Sequence, residues 1–151
     1  MSLLELLQSS VTTFVADLPA IACTPDHIGF RTESNNAYTS YKDALLREWA
    51  TILRASTVNN REITIFTLPH PILRFVYIEI AQPKAWEELY TDIEHVAYVC
   101  QNLDEIYQSY GARADERLMI NQIKEVHWIR YFKITYDGKE IEFREASIAT
   151  A

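Results

Sequence analysis

The amino-acid sequence predicts an α+β fold in which a β-α-β-β pattern occurs twice behind an extra N-terminal helix. Three observations predict it. Two strand openings match, Asp26-His27-Ile28-Gly29-Phe30 against Glu94-His95-Val96-Ala97-Tyr98. Two closings match as well, Tyr77-Ile78-Glu79-Ile80 against Glu140-Ile141-Glu142-Phe143. After each opening, apolar residues recur at helical spacing before the next β-rich run begins. Such an internal repeat divides one domain, 1–151, into a helix over 1–19, a first module over 24–82 and a second over 93–145. The second copy is about one hairpin turn shorter, which loop variation absorbs.

The N-terminal helix opens on a capping box, Ser2-Leu3-Leu4-Glu5, and Pro19 marks its end. Leu3, Leu6, Leu7, Phe14 and Val15 recur at roughly helical spacing, so the helix lies over the domain. It has no lysine or arginine and so lacks the basic face of a membrane-surface helix. Asp26 to Thr32 forms a short strand. Asn35 or Asn36 caps the next helix, whose apolar face is Tyr41, Leu45, Trp49, Ile52 and Leu53. Asn59-Asn60 is a turn, Ile63 to Leu68 a strand broken by Pro69-His70-Pro71, and Leu73 to Ile80 another strand. Polar Gln82 to Asp92 connects the copies. Glu94 to Cys100 is the second opening strand. Asn102, with Glu105 three residues on, caps a short helix carrying Leu103, Ile106, Tyr107 and Tyr110, and Gly111 suits a left-handed C-cap. Val126 to Tyr136 is one long strand, Asp137-Gly138 a hairpin turn, and Lys139 to Arg144 the return strand.

Composition excludes several classes of function. The 14 basic and 21 acidic residues leave a net charge of −7 without a basic stripe, so nucleic acid is not the main partner. A chain that is 48% hydrophobic and 23% charged is not intrinsically disordered. No apolar run approaches the roughly 18 residues of a membrane span. Met1 to Leu18 carries Glu5 and Asp17 and no basic stretch, which makes it a poor signal peptide. Cys23 and Cys100 are too few for a disulfide scaffold and are expected as buried, reduced thiols of a cytoplasmic protein. With only 3 glycines, a backbone cradle for phosphate is not expected. No nucleophile elbow, phosphate loop, paired Cys-x-x-Cys or dinucleotide fingerprint occurs.

The chemistry-bearing residues come from the repeat itself. Strand side chains alternate faces. His27 therefore shares a face with Gly29 and Arg31, Glu79 with Tyr77, His95 with Ala97, and Glu142 with Glu140 and Arg144. Their opposite faces are apolar and suited to packing under helices. If the modules pair, His27, Glu79, His95 and Glu142 can meet in one cleft. Two imidazoles and two carboxylates suit a borderline-hard divalent ion such as Zn, Ni, Mn or Fe. The ion also offsets a carboxylate repulsion that would otherwise raise both pKa values. The plainer alternatives are hydrogen-bonded core histidines and solvent-facing glutamates. The matched His and Glu in both copies favour the metal, and an unpartnered Glu79 would be costly in its apolar run.

Arg31, two residues after His27, is placed either to bind an anionic group of a substrate or to pair with Glu33 or Glu142. Tyr77, His127, Tyr131 and Arg144 are further candidates to contact a substrate. The register of the long strand leaves His127 and Tyr131 equally compatible with a solvated face. His70, between two prolines, reads as a surface turn residue, and Glu140 and Glu145 read as exposed charges.

The doubled pattern with His27, Glu79, His95 and Glu142 resembles the vicinal oxygen chelate superfamily of glyoxalase I, extradiol dioxygenases and bleomycin-resistance proteins. More narrowly, Asp26-His27-Ile28-x-x-Arg31, Phe66-x-Leu68, Glu79, Glu94-His95-Val96 and Asp137-Gly138-Lys139 resemble the YecM-like branch. The Asp-His-Ile-x-x-Arg-Thr stretch is also similar to the 2-oxoadipate dioxygenase/decarboxylase family. The YecM-like branch does not regularly carry a glutamate at the position of Glu142, which this chain does. The resemblance spans roughly residues 20 to 145. It implies two βαβββ modules forming a half-open barrel around a metal, with Arg117 to Ile120 as a fifth strand of the second module. It implies a divalent ion that captures two neighbouring oxygens of a small, oxygen-rich, anionic substrate and acts as Lewis acid, stabilising an enolate or activating dioxygen. In a proton-transfer version, Glu142 or Glu79 leaves the metal and acts as catalytic base. As the alternative it allows a metal-free binding or sequestration protein on the same scaffold, and the chain as monomer or homodimer.

Overall fold

The computed structural model describes residues 1–85 and 87–150. In chain order these form α1 (Leu3–Val15), β1 (Thr24–Arg31), α2 (Asn35–Arg47), β2 (Thr51–Val58), β3 (Arg61–Ile72) and β4 (Phe75–Ala81). The second half repeats the plan with β5 (Asp92–Val99), α3 (Leu103–Gly111), β6 (Leu118–Ile120), β7 (Lys124–Val126), β8 (Ile129–Tyr136) and β9 (Lys139–Arg144). A short 3₁₀ turn, Ile148–Thr150, follows. Each module is therefore βαβββ, and β7 is an added hairpin arm. The expected fifth strand near Arg117 to Ile120 is β6.

One curled sheet runs through both modules in the order β2-β3-β4-β1-β5-β9-β8-β6, with β7 paired to β8. The two opening strands, β1 and β5, lie side by side and antiparallel at its centre. Each opening strand has its own closing strand as a parallel neighbour, β4 on β1 and β9 on β5. Parallel neighbours need a crossover, which α2 and α3 supply. One face of the central strands carries Ile28, Ile78, Val96 and Ile141, all fully buried with Phe66, Phe132 and Phe143 in a continuous apolar core. The other face carries the polar residues of the repeat.

Local chemistry explains the element ends. Ser2 caps α1 by accepting from the Glu5 N–H at 3.1 Å, and Asn102 caps α3 from Glu105 at 3.2 Å, as the sequence predicts. Ser34, rather than Asn35 or Asn36, caps α2, accepting from the Ala37 N–H at 3.0 Å. Glu48, at the end of α2, reaches back to accept from Leu3 and Leu4 N–H at 2.9 and 3.1 Å, tying α1 to the first module.

The expected apolar face of α2 is too long. The helix stops at Arg47, and Ile52 and Leu53 belong to β2. Trp49 ends it in the left-handed region with φ of 73° and its side chain is 82% exposed. The Ala50 N–H donates to Leu45 O and the Trp49 N–H to Leu46 O, a Schellman closure in which Trp49 holds the position glycine usually takes. Two further expectations are corrected by tight turns. Leu73 and Arg74 both have positive φ and reverse the chain, so β4 begins only at Phe75. His127 and Trp128 do the same and divide the expected single strand from Val126 into β7 and β8. Asn59-Asn60 and Asp137-Gly138 are turns of this same kind, as expected. Pro69 and Pro71 do not break β3, because they fall where the β3–β4 ladder is interrupted between Thr67 and Ile72 and no N–H is needed. Gly111 is not a left-handed cap: α3 closes on Ala112 in the right-handed region.

Trp49→Gly is expected to raise the unfolding free energy by about 0.5–1 kcal/mol, since glycine relieves a left-handed side-chain penalty of about 1–2 kcal/mol and returns part as chain entropy. Urea denaturation followed by circular dichroism measures it.

Candidate metal centre

The strand registers place the polar residues in two rows across the sheet. One row is Tyr77, His27, Ala97, Glu142 and Lys133, running from β4 through β1, β5 and β9 to β8. The next is Glu79, Gly29, His95, Glu140 and Thr135. Each row thus sets a small residue between a histidine and a glutamate. A Cβ at Gly29 would run into the His95 ring, so His95 lies flat over the backbone of β1 only because glycine stands there.

This brings His27, His95 and Glu142 together, all three buried. The two Nε2 atoms are 3.3 Å apart, with the rings edge to face. Glu142 Oε2 lies 3.6 Å from His95 Nε2 and 3.9 Å from His27 Nε2. Donor atoms on a tetrahedral shell with bonds of about 2.1 Å stand about 3.4 Å apart, so the three donors already have the spacing of ligands around one ion. Glu79 is half-buried and lies outside this close group, though its charge acts on His95.

Supporting carboxylates orient both rings. His27 Nδ1 faces Asp26 Oδ2 at 2.8 Å, and the same oxygen accepts from the Ile148 N–H at 3.0 Å. Burial opposes ionisation of Asp26, but hydrogen bonds from His27, Ile148 and Ser147 hold its pKa below the ordinary value. A proton on Nδ1 leaves the His27 Nε2 lone pair directed at His95, the arrangement that metal-bound histidines adopt. His95 Nδ1 is buried without a hydrogen-bond partner, and its nearest acidic oxygens are Glu94 Oε1 at 3.5 Å and Glu140 Oε2 at 3.8 Å. Glu94 is itself fixed by the Arg31 Nε–H at 2.6 Å, with Lys84 Nζ at 3.6 Å.

Desolvation pulls the His95 pKa down, yet the Glu94 contact and the charges of Glu142, Glu79 and Glu94 outweigh it and raise the value above 6.5. For Glu142, burial is likewise outweighed by His95, His27, Arg144 and Lys133, and its pKa falls below 4.5.

The other expected site residues divide into two groups. His127, Tyr131 and Arg144 line a cavity of about 210 Å³ into which Glu142 opens, together with Val126, Ile129 and Lys133. Lys133 was not among the expected residues. It stands opposite Glu142 in the β8–β9 ladder, and its alternation with Tyr131 was the sequence signal. Burial disfavours its charge, but Glu140 and Glu142 raise its pKa and keep it cationic. Arg144 Nη1 donates to Glu142 Oε1 at 3.3 Å. Arg31 and Tyr77 lie elsewhere. Tyr77 sits beside His27 on β4. The buried Arg31 bonds Glu94 and Glu87, the latter at 2.6 Å, and stacks over Tyr90, so its ion pairs are with neither Glu33 nor Glu142. Glu140 is half-buried beside His95 and pairs with Lys133. Asp26 and Glu94 were also missed as supports, although an acid precedes the histidine in both copies.

A model of the YecM protein family matches residues 4–145. The chain belongs to the YecM family. No curated protein matches its sequence. Among solved structures, YecM-family membership is accompanied by similarity to a structural-genomics protein called EC4020, with a TM-score of 0.72 at 18% identity, over 96% of this chain and 85% of that one. Hypothetical protein BH1468 from Bacillus halodurans C-125 gives 0.62 at 15% identity, over 84% and 96%. Streptomyces coelicolor methylmalonyl-CoA epimerase, solved with 2-nitronate-propionyl-CoA, gives 0.58 at 13% identity, over 85% and 97%. These likenesses show the fold, that of the vicinal oxygen chelate superfamily.

Gly29→Ala is expected to cost about 1–3 kcal/mol through overpacking against His95, measured by urea denaturation. The pKa shifts set a pH window. Protonated His95 stabilises the fold fully below pH 6.5 and loses this as pH rises through its raised value. Ionised Glu142 contributes above pH 4.5 and loses this as pH falls through its lowered value. Thermal melts of the metal-free protein are therefore expected to be highest between pH 4.5 and 6.5 and to decline toward pH 8, and His95→Gln is expected to flatten that decline.

Proposed function

We propose that this YecM-family protein holds one divalent ion through His27, His95 and Glu142, with Glu79 as fourth ligand or as base. On this reading it is an enzyme of the vicinal oxygen chelate type. The observation that carries the reading is the convergence of two imidazole Nε2 atoms and one carboxylate oxygen within 3.9 Å of one another. The Asp26 carboxylate on Nδ1 of His27 supports it, because metal-bound histidines commonly donate their other ring N–H in this way. Zn, Ni, Mn and Fe all suit two nitrogens and hard oxygens, and the ion would supply Lewis acidity toward neighbouring substrate oxygens.

We infer the substrate class from the chain's own groups. Lys133 and Arg144 present two cations to a cavity of about 210 Å³ beside Glu142. A cavity of about 150 Å³ holds benzene, so this one suits a small acid of somewhat greater size. Tyr131 and His127 offer hydroxyl and imidazole contacts along the same wall. Arg31 acts indirectly, fixing Glu94 beside His95. Glu79, whose charge acts on His95 from outside the close group, is the residue we assign as base toward the substrate.

A second reading is metal-free sequestration of a small anion, favoured by the cavity's own two cations. The readings separate by experiment. Elemental analysis of the purified protein is expected to show about one divalent ion per chain, and His27→Ala and His95→Ala each to lose it. Unchanged metal content in both variants would refute the metal centre. Asp26→Asn is expected to weaken binding about 10–100-fold by titration calorimetry. Equal ligand affinity of metal-loaded and metal-stripped protein would favour sequestration.

A further inference from the structure

The two cysteines lie at the outer end of the β1–β5 ladder, away from the histidines. Thr24 pairs with Val99, so Cys23 and Cys100 are the next directly opposed positions. Their sulfurs are 2.8 Å apart. Opposed residues of an antiparallel pair have Cβ atoms about 4.5–5.5 Å apart, and disulfides need about 3.5–4.5 Å, so the two ranges meet. We propose that Cys23 and Cys100 form a two-electron oxidation site, at which a hydroperoxide converts the pair into an intramolecular disulfide joining the two modules.

Access and asymmetry support this role. Both thiols border a cleft of about 630 Å³ that also carries Arg74, Asn102 and Glu105, so a small polar oxidant can reach them. Cys23 is half-buried and Cys100 is buried. The Cys100 backbone is held to the second module by its N–H bond to Arg144 O at 2.8 Å, while Cys23 belongs to the segment leading into β1. The hydrogen bond from Cys100 pulls the Cys23 thiol below its usual range. The same bond, with burial, pushes Cys100 up. The pair therefore offers one more accessible and more readily ionised thiol and one protected thiol, the division of labour of an attacking and a resolving cysteine.

The steps balance. The Cys23 thiolate attacks one peroxide oxygen, the O–O bond breaks, and the departing hydroxide or alkoxide takes a proton, leaving a sulfenic acid on Cys23. The Cys100 sulfur then displaces hydroxide from that sulfur, and its proton leaves with the hydroxide as water. Two thiols lose two electrons and two protons, and the peroxide is reduced to water and alcohol or to two waters. A dithiol reverses the reaction by exchange.

The test uses the full chain with hydrogen peroxide, in the presence of a chelator to exclude metal-driven oxidation. Expected are the loss of both free thiols after denaturation, a mass lower by two hydrogens and a monomer on a non-reducing gel. The melting temperature is expected to rise by roughly 5–15 °C, reversed by dithiothreitol. In Cys100→Ser, dimedone is expected to trap a sulfenic acid on Cys23. Two persistent thiols in the wild-type protein, a disulfide-linked dimer, or addition of two oxygens to either sulfur would overturn the proposal.

Discussion

Everything at the polar centre depends on one backbone constraint, the antiparallel pairing of β1 with β5. That ladder sets Gly29 opposite His95 and Ala97 opposite His27. A one-residue slip would send every side chain of one strand to the other face, burying histidine under the helices and exposing Ile28 or Val96. The apolar core thus enforces the register, and the register brings the imidazoles together. Gly29 completes the arrangement, because the space its missing Cβ leaves is the space the His95 ring occupies. The parallel neighbours β4 and β9 then deliver Glu79 and Glu142 to the same face.

Such a centre is expensive to bury without a cation. Carboxylates and imidazoles leave water at a cost of several kcal/mol per charged group unless each finds a partner. The surroundings meet most of that demand with fixed cations: Arg31 and Lys84 on Glu94, Lys133 on Glu140, Arg144 on Glu142. These lie around the edge of the cluster. The contact from Arg144 falls on Glu142 Oε1, while Oε2 is the oxygen that faces the two Nε2 atoms.

Much of this was legible because it was written twice. The repeat exposed the pairing of a histidine strand with a glutamate strand, and alternation told which side chains share a face. Turns were legible only where their chemistry is distinctive. Asn59-Asn60 and Asp137-Gly138 carry residues that tolerate positive φ, whereas Leu73-Arg74 and His127-Trp128 adopt the same conformation with side chains that ordinarily avoid it. Tertiary pairing holds them there, and no local signal announces it. Trp49 fails for the same reason, since a left-handed helix stop written with tryptophan looks like one more apolar position on a helix. Arg31 was ambiguous because its partners, Glu87 and Glu94, come from the connector and the second module, a separation that no local pattern reveals.

On the proposed metal reading, the same geometry would make a proton and a metal ion alternative occupants of one position. In the tautomer in which a neutral His27 donates through Nδ1 to Asp26, its Nε2 accepts. The facing Nε2 of His95 would then either carry a proton across the 3.3 Å gap or lend its own lone pair to the proposed ion. The carboxylates that raise the His95 pKa stabilise either positive occupant. A divalent ion satisfies all three donors at once, whereas a proton satisfies only a pair. The stabilisation that metal confers should therefore grow as pH rises and the proton leaves, since the ion no longer displaces a competitor. Melting shifts with added Zn²⁺ that are larger at pH 8 than at pH 6 are the expected signature. Equal shifts at both pH values would mean that the ion and the proton do not compete for His95.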